Sequence, residues 1–265
     1  AALFYPASSY LTALQREVES GGPWRVAGMG PMLFPSLLSV YGLADVRTHN
    51  PLAPMSYLRT LDASLGFAPT TQNYFPPLRH IDHPFLDFLN VRAVTSVESY
   101  APPRTLERID GGRFGPYRLY RNPDALPRWF LPSAVEVIRQ GEVERWIAGL
   151  KDPWRVAVFD GRARSWVRER GEVVAALQSP GRMILDVPGR RDRLVATSLT
   201  TPRGWRASGG GRRLETVVVN GAFLGVRVPA GVSRIDLRFR PPGFLAGMLL
   251  GLAALVMTAG MAWRK

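Results

Sequence analysis

The chain has no cysteine and almost no lysine, and both features limit the kinds of cross-link and binding site that it can contain. Without cysteine, disulfide bonds and thiolate metal sites are excluded, while the redox compartment stays open. The net charge of +13 comes almost entirely from arginine, because Lys151 and Lys265 are the only lysines. This excess fits either a compositional bias of the genome or an outer face near lipid phosphates or anionic glycans, where guanidinium groups bind bidentately. The arginines are scattered singly, without a basic helix, so nucleic acid is not expected as a partner.

A long uncharged run does exist, and it lies at the end of the chain. Arg240-Pro241-Pro242 closes a β-rich region, and Phe244 to Trp263 then runs for 20 residues without a charge. Such a helix is about 30 Å long, the thickness of a bilayer's hydrocarbon core. Trp263 followed by Arg264-Lys265 is typical of a cytoplasmic interface. We therefore predict a transmembrane helix with a short cytoplasmic tail over residues 242–265. A buried helix of a soluble protein is the alternative.

The first residues provide no export signal for a domain that is expected outside the cytoplasm. Ala1 to Pro6 has neither a basic region nor an apolar core of the kind that signal peptides contain. We therefore expect Ala1 to be a cut point, with earlier membrane spans supplied by a longer parent protein. Those upstream helices and the lipid bilayer are the expected partners of the terminal helix.

Residues 1–125 are predicted to form a small mixed α/β domain. Leu11 to Glu19 reads as a helix capped by Ser8 or Ser9, and a second helix carries Met55, Leu58 and Leu61 on one face. A short helix over residues 84–90 leads into a half-buried strand over residues 91–97.

Residues 126–241 are predicted to form a β-sandwich of jelly-roll type. Many short strands are separated by turn residues, and Asn220-Gly221 between Val219 and Phe223 is a strong hairpin signal. The expected strands cover residues 129–130, 134–139, 155–159, 172–178, 182–187, 193–200, 213–219, 222–228 and 233–240. The fold class is thus α+β, with the mixed domain, the sandwich and one C-terminal transmembrane helix in chain order.

Several motifs, in a fixed order and spacing, resemble one family of bacterial membrane proteins. They are Tyr5-Pro6, PWRV at 23–26, VYGLADVRTHNPL at 40–52, HPFLDFLNVRAVTS at 83–96, YRLYRNPDALPRWFLP at 117–132, DPWRVAVF at 152–159, GWRA at 204–207, VNGAFLGVRVPAG at 219–231 and FRPPGFLAGMLLG at 239–251. Together they make the chain similar, end to end, to the C-terminal third of the YfhO family, which is related to C-type glycosyltransferases that use polyprenyl-phosphate-linked sugars.

The resemblance implies a location and a role. It implies domains that project outside the cytoplasmic membrane, about a dozen earlier spans, and a part in glycosylating cell-envelope polymers or lipids. In such enzymes the catalytic carboxylate sits in an early extracytoplasmic loop, so this chain is expected to carry no catalytic residue and no cofactor. The segment Thr200-Thr201-Pro202-Arg203-Gly204-Trp205 departs from the family, which often has an aromatic pair before this turn and an Asp-Gly hairpin after it. A ligand contact at that edge is therefore in doubt.

Other residue patterns suggest chemistry only weakly. His80-Ile81-Asp82-His83 has metal-ligand residue types, but Pro84 disfavours a helix through His83, and Asp82 is expected to cap the following helix instead. Gly209-Gly210-Gly211 could cradle a phosphate, although a hairpin tip is the simpler interpretation because no helix follows. The carboxylates that could serve a glycosidase show no pairing in their spacing and are expected to face solvent or arginine; they are Glu136, Asp160, Asp186 and Glu215.

Two tryptophans and three glycines are the candidate contact residues. Trp205, in a Gly-Trp turn, and Trp166, among arginines, are the best candidates for exposed tryptophans that contact glycan, although burial in a sandwich core is the alternative. Gly243, Gly247 and Gly251 recur every four residues and are expected to pack against a neighbouring membrane helix.

Two functions remain open. The first is an accessory part of a polytopic glycosyltransferase that recognises a polymer acceptor, a polyprenyl-phosphate sugar or an anionic envelope glycan. The second is a non-enzymatic, membrane-anchored module that binds glycan or acts as a scaffold.

Overall fold

The structure, a computed structural model, describes residues 8–29, 32–33, 37–48, 50, 52–73, 76–99, 105–159, 161, 166, 169–179, 181–188, 191–201 and 203–262. Its helices are α1 (Ser9–Glu19), α2 (Met55–Leu65), α3 (Phe85–Phe88), α4 (Val143–Ala148) and α5 (Phe244–Ala262), with 3-10 turns at Leu37–Tyr41 and Gln140–Glu142. Its strands are β1 (Arg25–Gly28), β2 (Val91–Val97), β3 (Glu107–Arg108), β4 (Tyr117–Arg121), β5 (Trp129–Leu131), β6 (Ala134–Val137), β7 (Arg155–Val158), β8 (Gly171–Glu172), β9 (Val174–Ser179), β10 (Arg182–Asp186), β11 (Arg193–Thr200), β12 (Trp205–Gly209), β13 (Arg212–Leu214), β14 (Thr216–Val219), β15 (Phe223–Val228) and β16 (Arg234–Phe239).

The N-terminal part is a mixed sheet with one helix packed on it. The strand order is β1-β2-β4-β3, with β1 and β2 parallel and the other pairs antiparallel. Ser8 caps α1 by accepting a hydrogen bond from the Leu11 amide, as the sequence predicts. The buried carboxylate of Glu17 then fixes α1 to the sheet, because Arg121 donates to both of its oxygens at 2.7 Å.

The C-terminal part contains two five-stranded antiparallel sheets that face each other. The outer sheet has the order β13-β12-β16-β10-β9, and the central sheet has the order β14-β15-β11-β5-β8. Apolar side chains from both sheets, such as Leu185 and Ile235 from one and Val195 and Val226 from the other, form a shared core. The structure therefore confirms the predicted mixed α and β content. The two facing sheets have ten strands in total, whereas a jelly roll has eight.

The central sheet is buried on both faces. Along β15, Phe223 points away from the outer sheet while Leu224 points toward it, because successive side chains alternate across a strand. Phe130 and Trp129 on β5 alternate in the same way. On the Phe223 side, the sheet is covered by α2, α3, α4 and the parallel pair β6-β7.

This second face joins the two predicted domains in one apolar cluster. The ring of Phe223 lies 5.9 Å from Tyr57, 5.8 Å from Phe85 and 4.9 Å from Phe88, measured between ring centroids. All three partners precede residue 125, so the core continues across the expected boundary at 125/126. The division into residues 1–125, 126–241 and 242–265 stays a prediction.

Local details of the sequence interpretation need correction. Trp205–Gly209 forms a strand that was not expected, and the single strand expected over residues 213–219 divides at Glu215 into β13 and β14, which belong to different sheets. Of the residues expected on one face of α2, Leu61 is buried, whereas Met55 is 62% exposed. Asp82 does not cap α3, since the Phe85 amide donates to Nδ1 of His83 at 3.1 Å.

Helix α5 follows directly on the outer sheet. It begins after Gly243, whose φ of +77° is a left-handed conformation that favours glycine. The side chains whose placement is described along α5 are exposed. Among the residues that the structure describes, we find no helix that meets the length and apolarity required to cross a membrane.

Candidate functional site

The outward face of the outer sheet carries a concentration of arginine. Along β16 the alternation of a strand directs Ile235 and Leu237 into the core and Arg234 and Arg238 outward. Strand register then places Arg238 between Arg206 of β12 and Arg182 of β10. Arg213 extends the same face onto β13, opposite Ser208.

Asp236 neutralises part of this charge. Its carboxylate accepts hydrogen bonds from Arg182 at 2.9 Å and from Arg238 at 2.7 Å. These two hydrogen bonds hold the pKa of Asp236 well below its usual range, and the bond from Arg238 has the larger effect. In the described part of the chain, Arg206, Arg213 and Arg240 have no carboxylate within 4.0 Å, so this face keeps a positive charge.

A groove of about 730 Å³ runs from this arginine face to the start of α5. The residues that line it include Trp205, Arg206, Arg213, Phe239, Arg240 and Phe244. We call this set the root groove, because it lies where α5 leaves the sheet. The rings of Trp205 and Phe239, neighbours in the β12–β16 register, are 5.3 Å apart and tilted.

A glycine makes this arrangement possible. Gly204 has a φ of +127°, and a Cβ atom on it would lie 2.5 Å from the backbone oxygen of Arg240. Its carbonyl instead accepts a hydrogen bond from the Arg240 amide at 2.9 Å, which extends the β12–β16 pairing to the edge of the groove. The same Cβ atom would lie 3.0 Å from the ring of Phe239, so the backbone is close-packed beside that ring.

The root groove has the chemistry of an anion site with an apolar side. Guanidinium groups bind phosphate or carboxylate with two parallel hydrogen bonds, and Trp205 and Phe239 present ring surface to an apolar or sugar group. Because Phe244 and Ala246 form part of the wall, a ligand held there also contacts the first turn of α5.

Comparison with known proteins bears on this part of the chain. Residues 178–251 match a family model described as the bacterial membrane protein YfhO. The resemblance to the YfhO family is confirmed over this segment. All six root-groove side chains named above lie within the YfhO-matched segment. A search among curated proteins finds no match.

Similar solved structures are cryo-EM structures of the arabinofuranosyltransferase AftD from Mycobacteria. One is 30% identical over 34% of this chain and 7% of that chain, with a TM-score of 0.28. A mutant of AftD is 29% identical over 36% of this chain and 8% of that chain, with a TM-score of 0.30. The chain therefore spans less than a tenth of the length of these enzymes.

The two candidate tryptophans have different environments. Trp205 is partly buried and lines the root groove, inside the YfhO-matched segment. Trp166 lies outside that segment and is only 3% exposed, so the expectation that it is exposed is wrong. It packs in the cluster that covers the central sheet, and the guanidinium of Arg227 lies 5.6 Å from its ring centroid. A contact of either residue with glycan stays a prediction.

The structure shows the surroundings of the two glycine patterns that the sequence analysis singled out. Gly209-Gly210-Gly211 is a hairpin tip between β12 and β13, with φ of +57° at Gly210 and +74° at Gly211. A Cβ atom on Gly243, Gly247 or Gly251 would meet no atom of the chain within 4 Å. That face of α5 is therefore free of contacts within the described chain, and its packing against another helix stays a prediction.

The expected carboxylates face arginine rather than each other. Glu136 pairs with Arg155, Asp186 lies 3.7 Å from Arg234, and Glu215 lies 3.7 Å from Arg227. Asp160 lies outside the described residues. Within those residues no group of three or more histidines, aspartates or glutamates is arranged to hold a metal ion.

Sequence reasoning did not single out the arginines of the root groove. A usable signal was present in residues 234–240, where arginine or aspartate alternates with an apolar residue over one strand. Arg206 and Arg213 are more than 25 positions from Arg240, and only the strand pairing brings them together.

Proposed function

We propose that the chain is the extracytoplasmic accessory portion of a polytopic, glycosyltransferase-like membrane protein of the YfhO type. It acts in the glycosylation of cell-envelope polymers or lipids by recognising a phosphate-bearing ligand, and the catalytic part lies outside this chain. The observation that carries the proposal is the root groove, which is lined by two aromatic residues and by arginines that have no carboxylate partner among the described residues, at the start of an uncharged helix.

The ligand class follows from the position of the charges. A polyprenyl-phosphate sugar has a phosphate at the membrane surface, an apolar chain below it and a sugar above it. Arg206, Arg213 and Arg240 match the phosphate, and the uncharged surface of α5 matches the apolar chain. The ring of Trp205 offers a surface on which the sugar stacks.

The proposal includes α5 as a membrane anchor. The segment Phe244 to Trp263 has no charged residue, and the described side chains along α5 are exposed rather than packed on the sheets. With α5 in the bilayer, Arg240 and Trp205 lie at the level of the lipid headgroups, where arginine and tryptophan are favourable. Protein and membrane then form the two sides of one binding site.

A lipid-binding experiment tests the proposal. The full chain is inserted in nanodiscs of neutral lipid, and its affinity for polyprenyl phosphate is compared with that for the uncharged polyprenol. We expect the phosphate to bind more tightly, and we expect combined Arg206→Gln, Arg213→Gln and Arg240→Gln substitutions to lower its affinity by about tenfold or more.

A charge-matched control separates the groove from a general effect of positive charge. It carries Arg16→Gln, Arg59→Gln and Arg145→Gln, three exposed arginines on α1, α2 and α4 that do not line the groove. Equal affinity for polyprenyl phosphate and polyprenol would reject phosphate recognition by the groove. An equal loss of polyprenyl-phosphate affinity in both triple variants would also reject it. Binding of a neutral glycan without the lipid would instead favour the non-enzymatic glycan-binding module.

A further inference from the structure

The arginine face of the outer sheet extends well beyond the root groove. A cavity of about 750 Å³ lies on this face next to the root groove, and Arg206, Arg213 and Arg240 line both. Six of the 13 residues that line this cavity are arginines, whereas lysine and arginine together make up 34 of the 265 residues of the chain. Positive charge is therefore concentrated on this face.

Carboxylates neutralise only part of this charge. Asp236 is the one carboxylate among the described residues that line the cavity, and Arg182 and Arg238 share it. Outside the lining, Asp186 lies 3.7 Å from Arg234. The other arginines of the lining have no carboxylate within 4.0 Å in the described part of the chain; they are Arg206, Arg212, Arg213 and Arg240.

The arginines are spread over an area rather than gathered around one point. Arg234 and Arg238 stand on the same side of β16, four residues and about 13 Å apart along the strand. Strand register places Arg182 and Arg206 on the two strands beside Arg238, so their backbones are about 10 Å from each other. A single phosphate contacts only part of this area. A layer of phosphate groups matches all of it, because each guanidinium group binds phosphate with paired hydrogen bonds.

Helix α5 begins beside this face. Strand β16 ends at Phe239 and α5 starts at Phe244, and Phe244 and Ala246 line the root groove together with Arg206 and Arg213. With α5 in the bilayer, as proposed above, the headgroups of the same bilayer lie at one end of the face. Contact between the face and the headgroups is then intramolecular, so the attraction of each arginine, about fivefold in affinity, is sufficient when several act together.

We infer that the arginine face docks on the anionic lipid headgroups of the bilayer that holds α5. The sandwich then lies against the membrane surface, and the root groove opens at the level of the headgroups. Asp236 limits the strength of docking, because it neutralises part of the charge of the face. This inference rests on the proposed insertion of α5 in the membrane, but it does not depend on the recognition of polyprenyl phosphate.

Fluorescence quenching of the full chain in nanodiscs tests the inference. Ser208 is exposed on β12 and lines the cavity, and the chain has no cysteine, so Ser208→Cys provides a single site for a fluorophore. The nanodiscs carry a quencher on a lipid headgroup and contain either neutral lipid alone or neutral lipid with phosphatidylglycerol. We expect strong quenching at position 208 only with phosphatidylglycerol, and we expect high salt to reverse it because salt screens the charges. A label at Ser56→Cys, on the helix α2 that covers the opposite side of the central sheet, should be quenched in neither disc.

Charge variants test whether the arginines cause the docking. Arg212, Arg234 and Arg238 line the cavity but not the root groove, and replacing all three with glutamine should lower the ratio of docked to undocked chain by about tenfold or more. The control variant with Arg16→Gln, Arg59→Gln and Arg145→Gln should dock like the unmodified chain. The comparison of the two lipid compositions needs no charge variant, so it decides the matter even if the triple variant does not fold.

A label on α5 separates this inference from the proposed anchor. Quenching at Ala253→Cys by a lipid with a quencher on its acyl chain reports the insertion of α5. If position 253 is quenched and position 208 is not quenched in the anionic discs, the inference is overturned while the anchor stands. If position 253 is not quenched, both are overturned. Equal quenching at position 208 in neutral and anionic discs, or an equal loss of docking in the two triple variants, would also overturn the inference.

Discussion

Phe223→Ala is the substitution that most directly probes how the chain is held together. Phe223 is fully buried on β15, and its ring contacts Tyr57, Phe85 and Phe88, all of which come from the N-terminal part. Truncating a buried phenylalanine to alanine typically costs about 3–5 kcal/mol, and three aromatic contacts place this site at the upper end, about 4–5 kcal/mol. Denaturant titration of the full chain in detergent measures the loss.

The neighbouring residue supplies a matched control with a sharper consequence. Leu224 is also fully buried on β15, but it faces the outer sheet and belongs to the other core. If the central sheet joins both cores into one cooperative unit, Leu224→Ala lowers the hydrogen-exchange protection of α3 as well as of the sandwich. Unchanged protection of α3 in Leu224→Ala, with two separate unfolding transitions, would refute the single unit and support independent domains divided at residue 125/126.

Three further substitutions have defined outcomes. Burial raises the pKa of Asp87 from 3.8 to about 6, so the folding stability falls as the pH rises from about 4 to about 6. Asp87→Asn removes this titration and should stabilise the chain by about 2 kcal/mol at pH 7. It should have no such effect below about pH 4, and denaturant titration at the two pH values measures the difference. Gly204→Ala should lower the melting temperature and weaken polyprenyl-phosphate binding, because its Cβ meets the Arg240 backbone. Asp236→Asn should increase phosphate affinity at the arginine face in a titration, because it releases two guanidinium groups.

One result would contradict each of these three predictions. Equal stability changes at both pH values would show that Asp87 is not responsible for the pH dependence. A Gly204→Ala chain that melts and binds normally would show that the close backbone approach is not required. Weaker phosphate binding in Asp236→Asn would mean that Asp236 organises the arginines instead of neutralising them.

Much of the sandwich could be predicted from the sequence because its strands are bounded by local turn signals. Residues 193–200 form the expected strand, and Asn220-Gly221 forms the expected hairpin turn, with φ of +47° and +74°. Strand β12 was missed because Trp205–Gly209 contains no β-branched residue and only one large apolar one. Its pairing with β16, which is distant in sequence, stabilises it.

The sites were harder to predict because they depend on long-range pairing. Both faces of the central sheet are buried because other elements cover them. The alternation of side chains along β15 does not reveal which elements those are. Trp166 was expected to be exposed because arginines surround it in sequence, yet it is buried in the cluster around the central sheet.

The proposed function depends most directly on the claim that the bulk of this chain lies outside the cytoplasmic membrane and that α5 crosses it. Because the chain has no cysteine, single cysteines can report topology directly. In a cysteine-free version of the protein as the cell makes it, one is introduced by Ser56→Cys on the exposed face of α2 and another is appended after Lys265. We predict that a membrane-impermeant maleimide labels the first in intact spheroplasts and the second only after lysis. Labelling of both only after lysis, or of both before it, would contradict the account.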